Sequence, residues 1–375
     1  MTVRAKQMAA EGIDVISFAA GEPDFNTPDA IIEAAVTALR NGKTKYAPSA
    51  GIPELKQAVV EKLMRENKIA AKPNEIAVSC GAKHSLYNAL QVLVQPGDEV
   101  ILIAPYWMTY ADQVILAGGE PVVVHTTIEN GYVPTQEQIR EKITSKTKAI
   151  IINSPSNPTG AAFDREKIKE IAALALRHNI WVISDEIYER LTYGFEHVSI
   201  AALGKDIAAQ TITITGCSKS YSMTGWRIGF AHAPAHVIQA MSNLQDQVTS
   251  GATTFCQFGA IEAVNLPSEE IEAMRAEFDA RRHLIVGRLN AIPGIRVHNP
   301  QGAFYAFPNV SNFLHGETKT DLALAEYLLD QAHIACIPGS VFEGPGHLRF
   351  SYAASREDIE KGMDRLEAAL ARLNS

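Results

Sequence analysis

Short runs of apolar, β-branched residues alternate along this chain with longer segments in which apolar side chains return every three to four positions. The runs "EIAVSC" (75–80), "EVILIA" (99–104), "PVVVHT" (121–126), "KAIIINS" (148–154), "NIWVISDE" (179–186) and "TITIT" (211–215) are short and bounded by turn-forming residues. Few polar residues interrupt them, which predicts strands buried on both faces of a sheet. Helical patterns lie between. In "TPDAIIEAAVTALRNG" (27–42), Thr27 is a candidate N-cap, Pro28 takes the first helical position and Gly42 falls past the end. Its Ile31, Ala35 and Leu39 share one face. Residues 53–66, 84–94 and 164–178 read the same way. Strands alternating with helices predict an α/β fold around a mostly parallel sheet.

Beyond residue 266 the pattern changes. A charged helical stretch (267–291) precedes two brief strand candidates, "GAFYAF" (302–307) and "HLRFSYA" (347–353), and a last helix at 355–372. This is the texture of a smaller α+β domain, which the N-terminal residues are expected to join. The expected division is a large domain at 29–280 and a small one made of 1–28 and 281–375.

Composition narrows the function classes. With 375 residues, 46% of them apolar, the chain can bury a large core. A net charge of −8 without blocks of like charge argues against nucleic-acid and anionic-membrane partners. Cys80, Cys217, Cys256 and Cys336 are widely separated, and the histidines show no metal-ligand spacing. Neither a metal site nor a disulfide framework is expected, and a reducing cytoplasm fits. The N-terminus lacks a signal-like apolar run, and runs such as 100–104 are too short to span a bilayer.

The candidate chemistry sits at strand ends, where ligands bind in open α/β sheets. Gly81-Ala82-Lys83 follows the first run. Asn153 and Asn157, in "NSPSNPTG", follow the fourth. Asp185 and Tyr188, in "SDEIYE", follow the fifth, and Lys219, in "TGCSKSYSMTGWRIG", follows the sixth. This set matches what pyridoxal 5'-phosphate requires. Its phosphate wants backbone N–H groups at a helix N-terminus, offered by Gly81 and Ala82, and a bidentate cation, offered by Arg227. Its pyridine nitrogen stays protonated beside a buried carboxylate, for which Asp185 is the candidate. Asn157 and Tyr188 can donate to the ring oxygen, and Trp107, in "APYWMTY", offers a stacking face. Lys219 is the candidate amine.

These motifs resemble the class I/II aminotransferases, the fold-type I pyridoxal-phosphate enzymes, and within them a bacterial aspartate/prephenate aminotransferase subgroup. The resemblance runs from "AAGEPDFNTP" (19–28) to "HLRFSYA". It implies a large domain around a mostly parallel seven-stranded sheet plus a smaller α+β domain. It implies Lys219 as the covalent, proton-shuttling lysine, Asp185 as the pyridinium partner and Trp107 as the stacking residue. Asn157 and Tyr188 take the ring oxygen, while Arg227, Gly81 and Ala82 take the phosphate. Tyr46, in "KTKYAPSAGIPEL", is implied to reach a partner subunit's phosphate, which means a homodimer with shared sites. Gly21 and Arg349 are implied to bind the substrate α-carboxylate, next to Trp107 and Asn157. The family commonly has a hydroxyl three residues before the lysine; Gly216 stands there, leaving Ser218 as the available hydroxyl. The family also carries an N-terminal arm before the first motif, and this sequence opens closer to that motif.

Lys83 bears on the substrate. In the subgroup the corresponding lysine helps bind a distal carboxylate, so "CGAKHSLYNAL" implies a dicarboxylic amino acid. The first turn of a helix disfavours a cation, which itself argues for a ligand there. The expected reaction is ping-pong amino transfer between L-aspartate and 2-oxoglutarate. Aromatic or prephenate transamination and lyase chemistry on the same scaffold remain open at this point.

Overall fold

The computed structural model describes residues 2–373. Its strands are β1 (Ile16–Ser17), β2 (Ile76–Ser79), β3 (Glu99–Ala104), β4 (Glu120–His125), β5 (Thr147–Asn153), β6 (Trp181–Asp185), β7 (Thr211–Gly216), β8 (Gly229–His232), β9 (Tyr305–Ala306), β10 (Ile334–Ala335), β11 (Ile337–Pro338) and β12 (Leu348–Ser351). A seven-stranded sheet has the order β2-β8-β7-β6-β5-β3-β4. Only β8 runs against its neighbours β2 and β7. Strand β2 and all of β7 are buried without alternation, as a sheet covered on both faces requires.

Successive residues of the central strands feed opposite cores. Ile101, Ile150 and Val182 pack with Ile168 and Ile171 of the helix Arg165–His178. Leu102, Ile151, Ile183 and Ile212 pack with Leu86 and Leu90 of the helix Ala82–Leu93 and with Met241 of the helix Ala235–Val248. A separate core joins Ile16 and Phe18 to Phe278, Phe304, Phe350 and Leu366. There β1 pairs with β10, and β11, β12 and β9 form an antiparallel sheet. The helix Ser268–Ala291 runs unbroken across residues 280 and 281, with Ile271 in one core and Phe278 and Ile285 in the other.

Three features depart from the sequence reading. Thr27 does not cap the helix Asp29–Arg40; Pro28 occupies that position without a side-chain bond. The Thr27 hydroxyl instead donates to the Ser222 carbonyl at 2.6 Å and accepts from Trp226 Nε1 at 3.0 Å. The helix Pro53–Lys62 gives way to a wider π turn at Leu63–Asn67, ended by Lys68 at φ 60°. The seventh strand, β8, was not among the predicted runs. It is four residues long, and its glycine and histidine disguise the β pattern.

Candidate active site

The parallel strands end along one edge of the sheet, and antiparallel β8 begins there, with Gly229 opposite both Gly216 and Ser79. The contact at this corner admits only glycine. A Cβ on Gly229 would lie 2.2 Å from the Ala82 nitrogen, and one on Gly216 would lie 2.9 Å from the Gly229 Cα. A hydroxyl-bearing residue at 216 therefore has no room, and the hydroxyl at the cavity wall comes from Ser218. The close approach seats the start of the helix Ala82–Leu93 against the sheet. Gly81, at φ 89°, turns the chain into that helix, and no side chain caps it. The Gly81 N–H, a candidate phosphate donor from the sequence, instead donates to the Ser79 carbonyl at 2.7 Å, and the Ala82 and Lys83 N–H groups are the ones left to bind an anion.

A cavity of about 430 Å³ opens here. Its walls include Gly21, Ala82, Lys83, Trp107, Asn157, Asp185, Tyr188, Ser218, Lys219, Arg227 and Arg349, drawn from distant parts of the sequence. Gly81 lies directly behind: a Cβ there would strike the Arg227 guanidinium at 2.5 Å. Tyr46 is not brought to this cavity. It is 95% exposed and lines a separate surface hollow with Thr44, Gly251 and Thr254.

Arg227 reaches the cavity from a strained turn. Ser222 and Arg227 both adopt left-handed backbone conformations, at φ 51° and 57°. Non-glycine residues rarely do so, and such strain clusters at functional sites. The guanidinium donates to the Thr224 carbonyl at 2.8 Å and the Cys80 carbonyl at 3.4 Å, which ties the turn to the phosphate-loop candidate.

Asp185 is buried at the end of β6. Its Oδ2 accepts from the Tyr110 hydroxyl at 2.7 Å, its Oδ1 from the Ile187 amide at 3.2 Å, and its carbonyl from Asn153 Nδ2 at 2.9 Å. Burial raises its pKa to about 6, although the bonds from Tyr110 and Ile187 pull the other way. A cation placed beside this carboxylate relieves that penalty. Lys219 donates to the Gly21 carbonyl. Burial, with the nearby Arg349 and Arg227 charges, lowers its pKa to about 8, so a useful share is neutral amine near neutral pH.

At the far wall, buried Arg349 on β12 donates to Asn157 Oδ1 and to the Ala19 carbonyl, each at 2.9 Å. Its Nε has no partner among the described residues. Its guanidinium lies 4.5 Å from the Tyr305 ring centre and 5.0 Å from that of Phe342. Asn157 is held by its own amide, which donates to Asn153 Oδ1 at 2.9 Å. The Tyr188 and Tyr305 hydroxyls bond at 2.8 Å. The Lys83 ammonium sits 4.7 Å from the Trp107 ring centre, and its pKa is lowered by burial first and then by Arg227.

Sequence reasoning missed Tyr110, Tyr305, Glu22 and Thr224, all of which line the cavity. Tyr110 stands three residues after Trp107 in the quoted "APYWMTY", and Tyr305 within "GAFYAF". Nothing in the first stretch marks which of its two tyrosines turns toward the cavity, and nothing in the second marks its single tyrosine as doing so. Asn153 shapes its turn by accepting from the Asn157 amide and also braces Asp185.

The residues fit pyridoxal phosphate on the structure's own terms: a buried carboxylate, an amine of depressed pKa, an uncapped helix start and an arginine meet in one cavity. A family model described as aminotransferase class I and II matches residues 13–366. An aspartate aminotransferase of Bacillus sp. (strain YM-2) is 51% identical over 372 residues, covering 98% of this chain and 94% of that protein. A probable aspartate/prephenate aminotransferase of Aquifex aeolicus (strain VF5) is 47% identical, covering 99% of this chain and 94% of the other. The solved structure of an aspartate aminotransferase from Thermus thermophilus with maleate superposes with a TM-score of 0.93 at 41% identity, covering 98% of this chain and 95% of that one.

Proposed function

The chain belongs to the class I and II aminotransferases and is a pyridoxal-phosphate-dependent aminotransferase for aspartate-like amino acids; from that premise we propose that L-aspartate and 2-oxoglutarate are its paired substrates. The observation that carries this reading is a pair of cations. Arg349 and Lys83 both line the cavity, and neither makes an ion pair with a carboxylate among the described residues. A dicarboxylate satisfies both, whereas a monocarboxylic amino acid leaves the Lys83 ammonium unpaired at the cavity wall. The Thermus thermophilus relative was solved with maleate, itself a dicarboxylate.

Bound pyridoxal phosphate supplies an electron sink for negative charge at the substrate α-carbon and a carbon that accepts and returns the amino group. The protein residues divide the remaining work. The Ala82 and Lys83 amides, Ser218 and Arg227 hold the phosphate. Asp185 keeps the ring nitrogen protonated, and Tyr110 keeps Asp185 ionised. Asn157 and Tyr188 donate to the ring oxygen. Trp107, at the cavity wall, would offer the ring a stacking face. Lys219 would carry the covalent link to the group, and its amine, lowered in pKa, would take and return the proton at the substrate α-carbon. Arg349 fixes the α-carboxylate beside Gly21, so that the α-proton faces Lys219.

The same reading makes the working unit a cytoplasmic homodimer in which exposed Tyr46 reaches the neighbouring subunit's phosphate site. Steady-state assays with 2-oxoglutarate test the substrate claim. L-Aspartate is expected to exceed L-alanine and L-phenylalanine in kcat/KM, and Lys83→Met to erase most of the difference. Equal use of L-phenylalanine by the unmodified protein would refute it. Prephenate, which also carries two carboxylates, belongs in the same panel as an acceptor.

A further inference from the structure

Directly after Asp185 the chain builds a second ionic cluster that takes no part in lining the cavity. Glu186 is 1% exposed. Its carboxylate accepts from Ser184 Oγ at 2.8 Å, from Asn67 Nδ2 at 3.1 Å and from Ser199 Oγ, and it meets His197 Nε2 at 3.0 Å. Glu189 accepts from Thr215 Oγ1 at 2.7 Å and from Asn67 Nδ2, and it pairs with the buried Lys62 ammonium. Lys62 also donates to Asn67 Oδ1 at 2.8 Å and lies 3.6 Å from Glu66, which pairs in turn with Arg190 at 3.0 Å. Half-exposed Arg65 reaches Glu66 from the solvent side.

Within the buried part, Glu186, Glu189 and Glu66 contribute three negative charges. Lys62 and Arg190 contribute two positive ones. A protonated His197 completes the balance: burial by itself opposes that charge, but the Glu186 carboxylate at 3.0 Å compensates it, and an uncompensated buried charge is far costlier than a paired one. The pKa directions agree. Burial alone would lower that of His197, yet Glu186 and Glu189 raise it overall. Burial alone would raise that of Glu189, yet Lys62 and His197 bring it to about 2. His232, which also faces Glu186, is held low by burial.

The segment from Asp185 to Glu189 therefore serves two compartments. Asp185 and Tyr188 face the cavity; Glu186 and Glu189 are locked into the cluster. We propose that the cluster of Lys62, Asn67, Glu186, Glu189 and His197 is a positioning device that fixes this segment and the electrostatic field at Asp185, with His197 closing the charge balance. It is anchored to the helix Pro53–Lys62 and its following turn, to the loop carrying His197 and Ser199, and to Thr215 on β7. The coupling is electrostatic as well as mechanical, because the charge of Glu186 acts on Asp185. Ligand atoms of Glu186, Glu189 and His197 come within 4.8 Å of one another, the spacing of a metal site. The Lys62 ammonium already engages Glu189 there and supplies the positive charge a metal would bring.

This inference rests on the cavity being the pyridoxal-phosphate site, and the test separates the two. The variants are His197→Gln and the double variant His197→Gln/Glu186→Gln. The readouts are the dissociation constant of pyridoxal phosphate from apo protein, the pH midpoint of the bound cofactor's absorption change, and the thermal midpoint. His197→Gln strands one negative charge. The absorption midpoint is expected to rise by roughly half to one pH unit, the order of effect of one charge acting through protein at an effective dielectric near 20. The dissociation constant at neutral pH is expected to rise several-fold. The double variant removes the stranded charge, so its absorption midpoint returns toward the unmodified value, even though more bonds are cut and the thermal midpoint falls further. A purely structural role makes the double variant at least as displaced as the single one in every readout. That outcome, an unmoved midpoint in His197→Gln, or stoichiometric metal in the purified holoenzyme would overturn the proposal. Normal cofactor binding with unmoved variants overturns this inference alone. Failure of the unmodified protein to bind the cofactor overturns the functional reading and this inference with it.

Discussion

The bond from Tyr110 to Asp185 permits a quantitative prediction. Tyr110→Phe keeps the ring and removes one hydrogen bond, 2.7 Å long, to a fully buried carboxylate. A hydrogen bond to a charged group is worth about 1.5–3 kcal/mol, which is about one to two pKa units. Asp185 stands at about 6 with that bond in place, because burial raises it and the bonds from Tyr110 and Ile187 hold it down. Without the phenol its pKa moves to roughly 7–8. A protonated carboxyl does not balance the cofactor's positive ring, so affinity is lost below the raised pKa and recovered above it. For a shift of about 1.5 units, the ionised fraction at pH 6.5 falls roughly eightfold, and at pH 9 it hardly changes. Titrating apo protein with pyridoxal phosphate from pH 6 to 9 checks this. Binding should be about tenfold weaker at pH 6.5 and close to that of the unmodified protein at pH 9. Curves parallel to the unmodified protein, or a deficit that grows with pH, would refute the reasoning.

Three other changes probe different parts of the structure. Arg349→Lys loses the planar fork that bonds Asn157 and Ala19; kcat/KM should fall about 10–100-fold, mainly through KM, with the cofactor's absorption spectrum unchanged. Gly229→Ala drives a methyl against the backbone of Gly81 and Ala82 at 2.2–2.3 Å; it should cost about 1–3 kcal/mol or more by overpacking and weaken cofactor binding, read by denaturant unfolding and titration. Glu189→Gln should destabilise the protein at neutral pH. The folded-state pKa of Glu189 is depressed from 4.5 to about 2, so its contribution is fully present above pH 4.5 and is lost as pH falls toward 2. The stability gap between variant and unmodified protein should close over that window.

What the sequence revealed follows from how each feature is encoded. Strands of a covered sheet write themselves as apolar runs, so β2 to β7 were legible, and with them the polar residues at their ends, although β4, at the sheet's edge, is only partly buried rather than covered on both faces. Strand β8 was not, because "GFAH" carries two small residues where close packing against β2 and β7 needs them. The helices Ala235–Val248 and Thr254–Asn265 were also missed; both bury glutamines, Gln245 and Gln257, that blur the apolar stripe. Thr27 illustrates the limit of local rules: two long-range bonds outcompete a cap worth about 1 kcal/mol. In the site, residues with distinctive chemistry such as Lys219, Asp185 and Arg349 stood out. Those that act through another side chain, such as Tyr110 on Asp185, are visible only once the chain is folded. The cluster around Glu186 was hidden for the same reason: Lys62 and Asn67 lie more than a hundred residues before it.

The most direct measurement is a half-reaction. Holoenzyme is mixed with L-aspartate in the absence of any oxo acid, and the cofactor's absorption is followed alongside oxaloacetate release. The account predicts one equivalent of oxaloacetate per active site, with complete conversion of the cofactor to its aminated form, and no conversion in Lys219→Ala. Continuous release of ammonia and oxo acid with an unchanged cofactor, or equally fast conversion by L-alanine, would contradict it.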